Sequence, residues 1–459
     1  MNILDDTIAA VSTAQAAAGI GIVRISGKDA LSVADLIYCG KNGKRLADQP
    51  ANTVHYGWIR ENGKVLDEVL AIILRAPHSY TGEDTVEIDC HGGILAVNRV
   101  LEAAIRAGAR LAEPGEFTKK AFLNGRIDLS QAEAVMDIIS AKSEYALQSS
   151  LSQLKGSLRD AISAVREALL NELAFIEAAL DDPEHYSLDG YGDTLLPVIE
   201  DQKKAVRKLL STAEQGKYIG EGIATVILGK PNAGKSSLLN RLTGKDRAIV
   251  TDVPGTTRDV LKETISVGGA VLKLADTAGI RQSSDAVEKI GIDLAREEAS
   301  LADLVLYVAD SSVPLDDNDK EILELVRDKK VIVILNKSDL TAVTTAEDIK
   351  NICDYPYIET SAADGSGIEE LKEKIKQMFF NGEISFNDEV FITNARHKNA
   401  LEETLSSLEN VSEAVESGIP EDVYAIDIYG AVNTLDSIIG GNISEDLADT
   451  IFEKFCMGK

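Results

Sequence analysis

Residues 229–237 combine residue types and a spacing that can bind a chain of phosphates. They read Gly-Lys-Pro-Asn-Ala-Gly-Lys-Ser-Ser, and they lie between the apolar run 224–228 and an apolar helical pattern that begins at Leu238. A strand, a glycine-rich loop and a helix start point backbone N–H groups and the positive helix end at phosphate oxygens. In such a loop Lys235 would contact the β- and γ-phosphates, and the Ser236 hydroxyl would bind Mg²⁺. Taken alone, the motif leaves open a glycine-rich turn with a chance lysine.

Three further motifs remove that alternative and identify the base. Asp276-Thr277-Ala278-Gly279 ends an apolar segment and would supply a carboxylate near Mg²⁺ and an amide facing the γ-phosphate. Asn336-Lys337-Ser338-Asp339 follows an apolar run, and Thr360-Ser361-Ala362 would complete a base pocket through backbone amides. The Asp339 carboxylate can accept the N1–H and the exocyclic amine of guanine, a donor pair that adenine lacks, so the site would reject ATP. The four motifs in this order predict a GTP site.

Length, composition and charge limit the number of domains, the location of the protein and the partners it can bind. A chain of 459 residues is expected to hold about three domains. Because the sequence has no run of about 18 apolar residues and no signal segment, we expect a soluble, cytoplasmic protein without a membrane partner. The 4 cysteines and 5 histidines are scattered and form no C-x-x-C pair, which argues for reduced thiols and against a zinc site. The net charge of −28 disfavours unaided binding of a nucleic-acid backbone.

The pattern of apolar residues changes along the chain and predicts several domains. Short strand patterns at 19–26, 69–74 and 86–88 and a helical pattern at 94–107 indicate an α+β fold near the N-terminus. From Asp128 the pattern is helical, and Ser130-x-x-Glu133 fits a capping box. We therefore expect a multidomain protein with an α+β domain at 1–118, an all-α domain built from 119–218 and 381–459, and an inserted α/β P-loop GTPase domain at 219–380.

Four further blocks, spread over the whole chain, carry a family resemblance. They are Asp6-Thr7-Ile8-Ala9-Ala10 with Gly19 to Gly27; Tyr80-Thr81-Gly82-Glu83-Asp84 with His91-Gly92-Gly93; Pro114-Gly115-Glu116-Phe117-Thr118 with Ala121-Phe122-Leu123-Asn124-Gly125; and Phe455-Cys456-Met457-Gly458-Lys459. Together with the phosphate loop and Gly255-Thr256-Thr257-Arg258-Asp259, they make the chain similar to the MnmE (TrmE) family of tRNA-modification GTPases.

This resemblance implies a function that the residues alone do not reach. Members of the family are homodimers with an N-terminal, dimerising tetrahydrofolate-binding domain, a helical domain and an inserted GTPase domain. In a heterotetramer with the flavoprotein MnmG (GidA), they add a carboxymethylaminomethyl or aminomethyl group to C5 of the wobble uridine (U34) of certain tRNAs. Because this chain is acidic and has no G-x-G-x-x-G dinucleotide fingerprint, we expect the partner to supply the flavin and most tRNA contacts.

The resemblance also implies how GTP is hydrolysed. Ile280 stands where a water-orienting glutamine is expected, and no arginine finger is identifiable from the sequence. The family uses a K⁺ ion instead, whose ligands by position would be Asn232, Thr251, Val253 and Thr256. Thr257 would bind Mg²⁺ together with Ser236, and Glu288 would position the attacking water while Lys235 contacts the phosphates. The open alternatives are a solvated helix-face carboxylate for Glu288 and a turn residue for Asn232.

The complete predicted GTP site is larger than these ligands. It comprises Asn232, Ala233, Gly234, Lys235, Ser236, Ser237, Thr251, Asp252, Val253, Pro254, Gly255, Thr256, Thr257, Asp276, Thr277, Ala278, Gly279, Asn336, Lys337, Asp339, Ser361, Ala362 and Ala363.

A second site is implied for the N-terminal domain. By position in the family, Arg24, Glu87, Arg126 and Lys459 would bind 5,10-methylene- or 5-formyl-tetrahydrofolate. A carboxylate suits the N–H edge of the pterin, and cations suit the glutamyl tail. On the residues alone, Arg24 and Glu87 are equally compatible with ordinary surface charges. Cys456 resembles a functionally important cysteine of the family, and its alternative is a tail residue without a role.

Three positions depart from the family pattern. Met457 stands where isoleucine is usual, and we expect this apolar exchange to be harmless. Ala14-Gln15-Ala16 stands where Pro-Pro-Gly is usual, which alters a loop. Arg126 stands where many members carry lysine; the charge is kept, but arginine is not a simple substitute at a tight site.

Two functions of other classes fit parts of the pattern. A ribosome-assembly GTPase switch would share the nucleotide motifs, but the N-terminal blocks, the Gly-Lys end and the lack of a basic RNA-binding domain count against it. A folate-dependent one-carbon transferase would use its GTP-binding domain only for dimerisation. A requirement for K⁺ over Na⁺ in hydrolysis, and for turnover in tRNA modification, would separate these functions from the expected one.

Overall fold

The computed structural model describes residues 6–41, 43–243, 264–274, 299–380, 389–441, 445–453, 455 and 458. Contacts within the chain form two compact units, each assembled from distant segments. The first comprises residues 1–136, 153–189 and 419–459, and the second comprises residues 137–152 and 190–418. In the described ranges, none of the helices is both long enough and apolar enough to span a bilayer.

The first unit begins with a seven-stranded sheet. Its strands are β1 (Ile8–Val11), β2 (Ile20–Ser26), β3 (Tyr38–Gly40), β4 (Thr53–Glu61), β5 (Lys64–Leu74), β6 (Thr85–His91) and β7 (Arg110–Leu111), in the spatial order β3-β4-β5-β6-β2-β1-β7. Neighbouring strands are antiparallel except β1 and β7. The helices here are α1 (Ala30–Ile37), α2 (Ile94–Arg106) and α3 (Glu116–Leu123), and α1 and α2 share one core with the sheet. The α+β prediction for this part is confirmed.

Successive side chains of a strand point to opposite faces of the sheet, and this alternation decides which of them point away from that core. In β2, Val23 and Ile25 are buried, so Arg24 between them projects from the opposite face of the sheet. Glu87 of β6 lies in register with Arg24 and projects from the same face. The alternation therefore brings together two charges that are 63 residues apart in sequence.

From residue 129 onward the structure is rich in helices. They are α4 (Leu129–Ser140), α5 (Glu144–Leu154), α6 (Ser157–Asp181), α7 (Tyr191–Ser211), α8 (Ala213–Glu221), α9 (Lys235–Thr243), α10 (Asp317–Leu325), α11 (Ala346–Ile352), α12 (Ile368–Phe380), α13 (Ala395–Glu416), α14 (Glu421–Ile439) and α15 (Glu445–Phe452). In the first unit α6 packs against α14, and in the second unit α7 packs against α13. The Arg166 guanidinium of α6 donates to the Asp436 carboxylate of α14, whose side chain is 7% exposed. The predicted helical texture is confirmed.

The start of α4 differs from the prediction by two residues. Asp128 Oδ1 accepts the Gln131 N–H at 3.0 Å, and Gln131 Oε1 accepts the Asp128 N–H at 3.0 Å. This reciprocal pair is a capping box, so the expected box at Ser130 and Glu133 was wrong. The physical reason is that the Ser130 hydroxyl itself donates to Asp128 Oδ1 at 2.6 Å, and Asp128 holds the cap position.

The second unit contains a six-stranded sheet around the phosphate loop. Its strands are β8 (Ile223–Leu228), β9 (Thr264–Val267), β10 (Ala270–Leu274), β11 (Leu304–Asp310), β12 (Lys330–Asn336) and β13 (Tyr357–Glu359), in the order β13-β12-β11-β8-β10-β9. All neighbours are parallel except β9 and β10. Strands β8, β11 and β12 read as continuous apolar runs because a core covers each face of the sheet. Their carboxyl ends meet at one edge, where ligands bind in such folds.

The predicted class of fold, with an α+β part, helical segments and an α/β P-loop domain, is confirmed. The predicted domain boundaries at residues 118, 218 and 380 stay predictions.

Candidate active site

Two glycines shape the phosphate loop between β8 and α9. Gly229 and Gly234 have φ angles of +142° and +95°, which L side chains rarely adopt. A Cβ at Gly229 would lie 2.2 Å from the Val308 carbonyl oxygen, and a Cβ at Gly234 would lie 2.0 Å from Asn336 Nδ2. Both positions therefore require glycine, and the loop passes close to the ends of β11 and β12.

Lys235 opens α9 and turns its ammonium group back over the loop. Its Nζ donates to the carbonyl oxygens of Gly229 at 2.5 Å and Lys230 at 2.7 Å. Burial lowers the pKa of Lys235, since desolvation disfavours the charged form, and a bound phosphate would oppose this effect. Ser236 and Ser237 are exposed in the same turn, where unpaired N–H groups and the helix dipole favour an anion. The arrangement fits the predicted contacts with phosphates and Mg²⁺.

Asn336, the last residue of β12, connects the phosphate loop to the loop that follows β13. Its side chain is buried, and Nδ2 donates to the Ala233 carbonyl oxygen at 2.9 Å. Its Oδ1 accepts the Ala362 N–H at 3.2 Å and the Thr360 hydroxyl at 3.3 Å. One buried amide thus fixes the distance between the phosphate and base parts of the site.

The predicted base-reading residues lie on adjacent loops. The Ser338 N–H donates to the Thr360 carbonyl oxygen at 3.0 Å, which joins the two loops. Arg241 of α9 donates to the carbonyl oxygen of Ala362 at 2.9 Å and also to that of Ala363. The Asp339 side chain is exposed and so is accessible to a ligand. The structure brings together, on the phosphate loop, the first turn of α9, the end of β12 and the two base loops, the predicted residues Asn232, Ala233, Gly234, Lys235, Ser236, Ser237, Asn336, Lys337, Asp339, Ser361, Ala362 and Ala363.

Two lysines of the motifs are held by carboxylates from the region that runs from the end of β11 to the first turn of α10. Lys337, in the left-handed conformation with φ of +65°, places Nζ 2.5 Å from Asp310 Oδ2. Lys230 places its Nζ 2.7 Å from Asp316 Oδ2 and 2.5 Å from Asp319 Oδ2. Both lysine heads are therefore directed to carboxylates of this region.

Some predicted residues fall in parts of the chain that the structure does not describe. They are Thr251, Asp252, Val253, Pro254, Gly255, Thr256, Thr257, Asp276, Thr277, Ala278, Gly279, Glu288 and Lys459, together with the noted Ile280, Cys456 and Met457. Their predicted roles stay predictions.

A second group of charges lies on the face of the N-terminal sheet opposite the core that contains α1 and α2. Arg24 Nε donates to Glu87 Oε1 at 2.7 Å, and the two side chains are only 12% and 19% exposed. Arg24 Nη1 also donates to the Gly458 carbonyl oxygen at 3.2 Å, and the Ser12 hydroxyl donates to the same oxygen at 3.2 Å. The two charges are thus paired and largely buried, unlike ordinary surface charges.

Aromatic side chains complete this N-terminal site. Arg24 Cζ lies 5.4 Å from the ring centroid of Tyr80 and 5.5 Å from that of Phe117. Arg126 Cζ lies 5.1 Å from the Tyr80 ring, and its Nη1 donates to the Tyr80 carbonyl oxygen at 3.0 Å. Of the residues predicted together, Arg24 and Arg126 therefore meet at one tyrosine, and Glu87 is joined to them through its ion pair with Arg24.

A buried ion pair supports the loop that carries Tyr80. The Lys120 side chain is fully buried, and its Nζ donates to the Glu83 carboxylate at 2.9 and 3.0 Å and to the Asp6 carbonyl oxygen at 2.8 Å. Removing one partner would leave a buried charge without compensation. The pair therefore holds the loop, and with it Tyr80, in a fixed position.

Comparison with known proteins settles the family. Residues 129–456 match the "MnmE helical domain", and residues 7–126 match the "GTP-binding protein TrmE N-terminus". A tRNA modification GTPase MnmE from Lachnoclostridium phytofermentans is 54% identical over 99% of this chain and 99% of its own length. The MnmE of Clostridioides difficile is 47% identical over 99% of this chain and 100% of its own.

The chain belongs to the MnmE family of tRNA modification GTPases. The resemblance expected from the sequence blocks is thereby confirmed, and the chain is a GTP-binding GTPase. Among solved structures, the G domain of the T. maritima FeoB iron transporter is 32% identical over 34% of this chain and 97% of its own, with a TM-score of 0.25.

The sequence did not reveal every residue that shapes these sites in this MnmE family member. Tyr80 and Phe117 lie in blocks that carried the resemblance, which was an available signal for them. Lys230 occupies a variable position of the phosphate-loop motif. The sequence does not mark Asp319 as the partner of Lys230, because acidic residues are common in the first turn of helices.

Proposed function

We propose that this chain is a K⁺-stimulated GTPase that acts in tRNA modification at C5 of the wobble uridine (U34). It would add a carboxymethylaminomethyl or aminomethyl group together with the flavoprotein MnmG (GidA). One observation carries the proposal. A single chain of this family holds phosphate and base loops that are joined to each other, and it also holds a separate site at Arg24 and Glu87. The relatives' name, tRNA modification GTPase, favours tRNA over the ribosome as the RNA concerned.

For hydrolysis, we assign the residues of this chain to binding and positioning. Lys235 neutralises phosphate charge, and Ser236 and Thr257 hold Mg²⁺. Asn232 supports the K⁺ proposal because it is exposed in the phosphate loop with φ of +63°, and Thr251, Val253 and Thr256 would join it. When bound, these cations supply positive charge where negative charge develops in the transition state. Glu288 orients the attacking water, since Ile280 has no group that can do so.

For the N-terminal site, we assign a reduced folate as ligand. The Glu87 carboxylate can accept from the N–H edge of a pterin, and Arg24, Arg126 and Lys459 can pair with the glutamyl carboxylates. The rings of Tyr80 and Phe117 beside Arg24 support this assignment, since flat heterocycles bind next to aromatic side chains. The ligand would be 5,10-methylene- or 5-formyl-tetrahydrofolate.

For partners, the charge of the chain is the main argument. With 75 acidic and 47 basic residues, it repels a polyanion at long range, so MnmG would hold most of the tRNA and bring the flavin. We further propose a cytoplasmic homodimer that forms a heterotetramer with MnmG, and domains that follow the predicted boundaries at 118, 218 and 380.

Reconstitution from purified proteins tests this function. This chain, the MnmG of the same organism, GTP, K⁺, an amine donor and 5,10-methylene-tetrahydrofolate should modify the wobble uridine of a tRNA transcript, as read by mass spectrometry of nucleosides. Replacing K⁺ by Na⁺ should abolish stimulation of hydrolysis, and Glu288→Ala should lower kcat about a hundredfold with little change in GTP affinity. Equal hydrolysis in both salts, or modification without MnmG, would refute the proposal.

A further inference from the structure

We propose that Lys230 is a positioning residue for GTP, acting through a buried anchor on α10 rather than through contact with the nucleotide. Lys230 is the second residue of the phosphate loop. Its side chain is directed to α10, because Nζ lies 2.5 Å from Asp319 Oδ2 and 2.7 Å from Asp316 Oδ2. Its carbonyl oxygen accepts from Lys235 Nζ at 2.7 Å. One residue therefore connects a structural anchor to the lysine that binds phosphate.

The anchor is rigid because donors from three different residues, Lys230, Asp316 and Tyr307, hold the Asp319 carboxylate. Its side chain is 3% exposed, and it accepts the Asp316 N–H at 2.8 Å in a capping box. It also accepts the hydroxyl of Tyr307, a fully buried residue of β11. β11 lies directly beside β8, and Tyr307 is in register with Leu228, the last residue before the phosphate loop. Lys230 is thus tied to the strand next to the one from which its own loop starts.

A second contact holds the phosphate loop three residues after Lys230. The Ala233 carbonyl oxygen is held by Asn336, so the phosphate loop is fixed at residues 230 and 233. The segment between them contains Asn232, whose backbone is in the left-handed conformation with φ of +63°. A cavity of about 210 Å³ lies against this segment and is lined by Lys230, Asn232, Asp310 and Asp319 among others. Because open space borders the segment on that side, loss of the Lys230 anchor would let it relax into the cavity.

The pKa of Lys230 agrees with this geometry. Burial alone would lower it, but hydrogen bonds to Asp316 and Asp319 raise it overall. The ammonium therefore stays charged at neutral pH while two carboxylates neutralise it. A neutralised lysine directed at α10 adds little to the field at the phosphates, so its effect on GTP is positional.

Nucleotide affinity tests the proposal. Lys230→Met should raise the Kd of GDP and of a non-hydrolysable GTP analogue alike by about tenfold, equivalent to about 1.4 kcal/mol. KM for GTP should rise in parallel, and kcat should change less. Lys230→Arg, which keeps a cation within reach of both carboxylates, should stay within a factor of three of the unmodified protein, on the order of 0.6 kcal/mol. The matched control is Lys320→Met, which removes an exposed pair with Asp317 on the same helix and should leave affinity unchanged.

The double variant Lys230→Met/Asp319→Asn separates positioning from the effect of a buried charge. The amide introduced at position 319 can accept the Asp316 N–H through its oxygen and donate its N–H to the hydroxyl oxygen of Tyr307. This variant therefore has no unpaired buried charge and should fold even if the single variant does not. Positioning predicts that its GDP affinity stays about tenfold weakened. Restored affinity in the double variant, or unmodified affinity in a folded Lys230→Met, would overturn the proposal.

Discussion

Asn336→Ala is the change for which the structure gives the sharpest expectation. The side chain is 1% exposed and serves the Ala233 carbonyl oxygen, the Ala362 N–H and the Thr360 hydroxyl. A buried polar group left without its partner costs about 1–3 kcal/mol. Because the three groups share one side chain and can partly relax, we expect a total of about 3–5 kcal/mol rather than the full sum.

This cost should divide between folding and nucleotide binding. The Ala233 contact holds the phosphate loop, so its loss should weaken GDP binding by about 10- to 100-fold, or about 1.4–2.8 kcal/mol. The remainder should lower the melting temperature of the nucleotide-free protein by about 2–4 °C per kcal/mol. Fluorescent GDP titration and calorimetry measure the two parts. Asn351→Ala, an exposed asparagine of α11, is the matched control and should change neither.

Inorganic tripolyphosphate distinguishes a loop connector from a residue that reads only the base. It has no base, yet the link to Ala233 predicts that Asn336→Ala weakens its competition with GDP as well. Asn336→Asp keeps an acceptor for Ala362 but turns a carboxylate oxygen toward the Ala233 carbonyl oxygen, so it should be at least as harmful. Unchanged tripolyphosphate binding in both variants would refute the reasoning.

Three further predictions concern other parts of the molecule. Asp339→Asn should reduce the preference for GTP over ATP by roughly a hundredfold or more, because the amide offers one acceptor where guanine presents two donors; competition binding measures this. Arg24→Met and Glu87→Gln should each weaken 5-formyl-tetrahydrofolate by about 10- to 100-fold, since hydrogen bonds to charged groups contribute about 1.5–3 kcal/mol; calorimetric titration measures this. Asp436→Ala should lower the free energy of unfolding by about 2–3 kcal/mol, less than for a fully buried pair because Arg166 is 31% exposed; denaturant titration measures this.

Each of these predictions has a control at an exposed charged residue. Asp354→Asn, Arg99→Met and Asp160→Ala change exposed charges and should be close to neutral in the three assays. A variant that matches its control would contradict the corresponding role: base reading for Asp339, ligand binding for Arg24 and Glu87, and helix pairing for Asp436.

Local patterns were sufficient to predict most elements and the nucleotide loops. Strands β8, β11 and β12 are apolar over their length, and their carboxyl ends must share one edge of a parallel sheet, so the motif residues had to meet. The cap of α4 was misplaced because Asp128 and Ser130 both suit a cap, and only the three-dimensional hydrogen bonds decide between them. Propensity therefore located the helix but not its first residue.

Contacts between distant segments were beyond what the sequence could predict. Arg24 and Glu87 were expected together only through the family resemblance, while their pairing follows from the register of β2 and β6. The Lys230–Asp319 contact depends on how α10 is seated beside β8, and no residue pattern encodes that distance. Such contacts become visible only once the sheet order is known.

The carbonyl oxygen of Gly458, which accepts from Ser12 and Arg24, joins segments that the ribosome makes at very different times. Ser12 and Gly458 are 446 residues apart, so at a synthesis rate of about 5–20 residues per second roughly 20 to 90 s pass between their appearances. The whole phosphate loop is made in that interval. A ribosome that stalls before residue 458 would thus release a chain that has its GTP motifs but lacks this contact to Arg24. The Gly458 contact therefore distinguishes a chain made through residue 458 from an interrupted one.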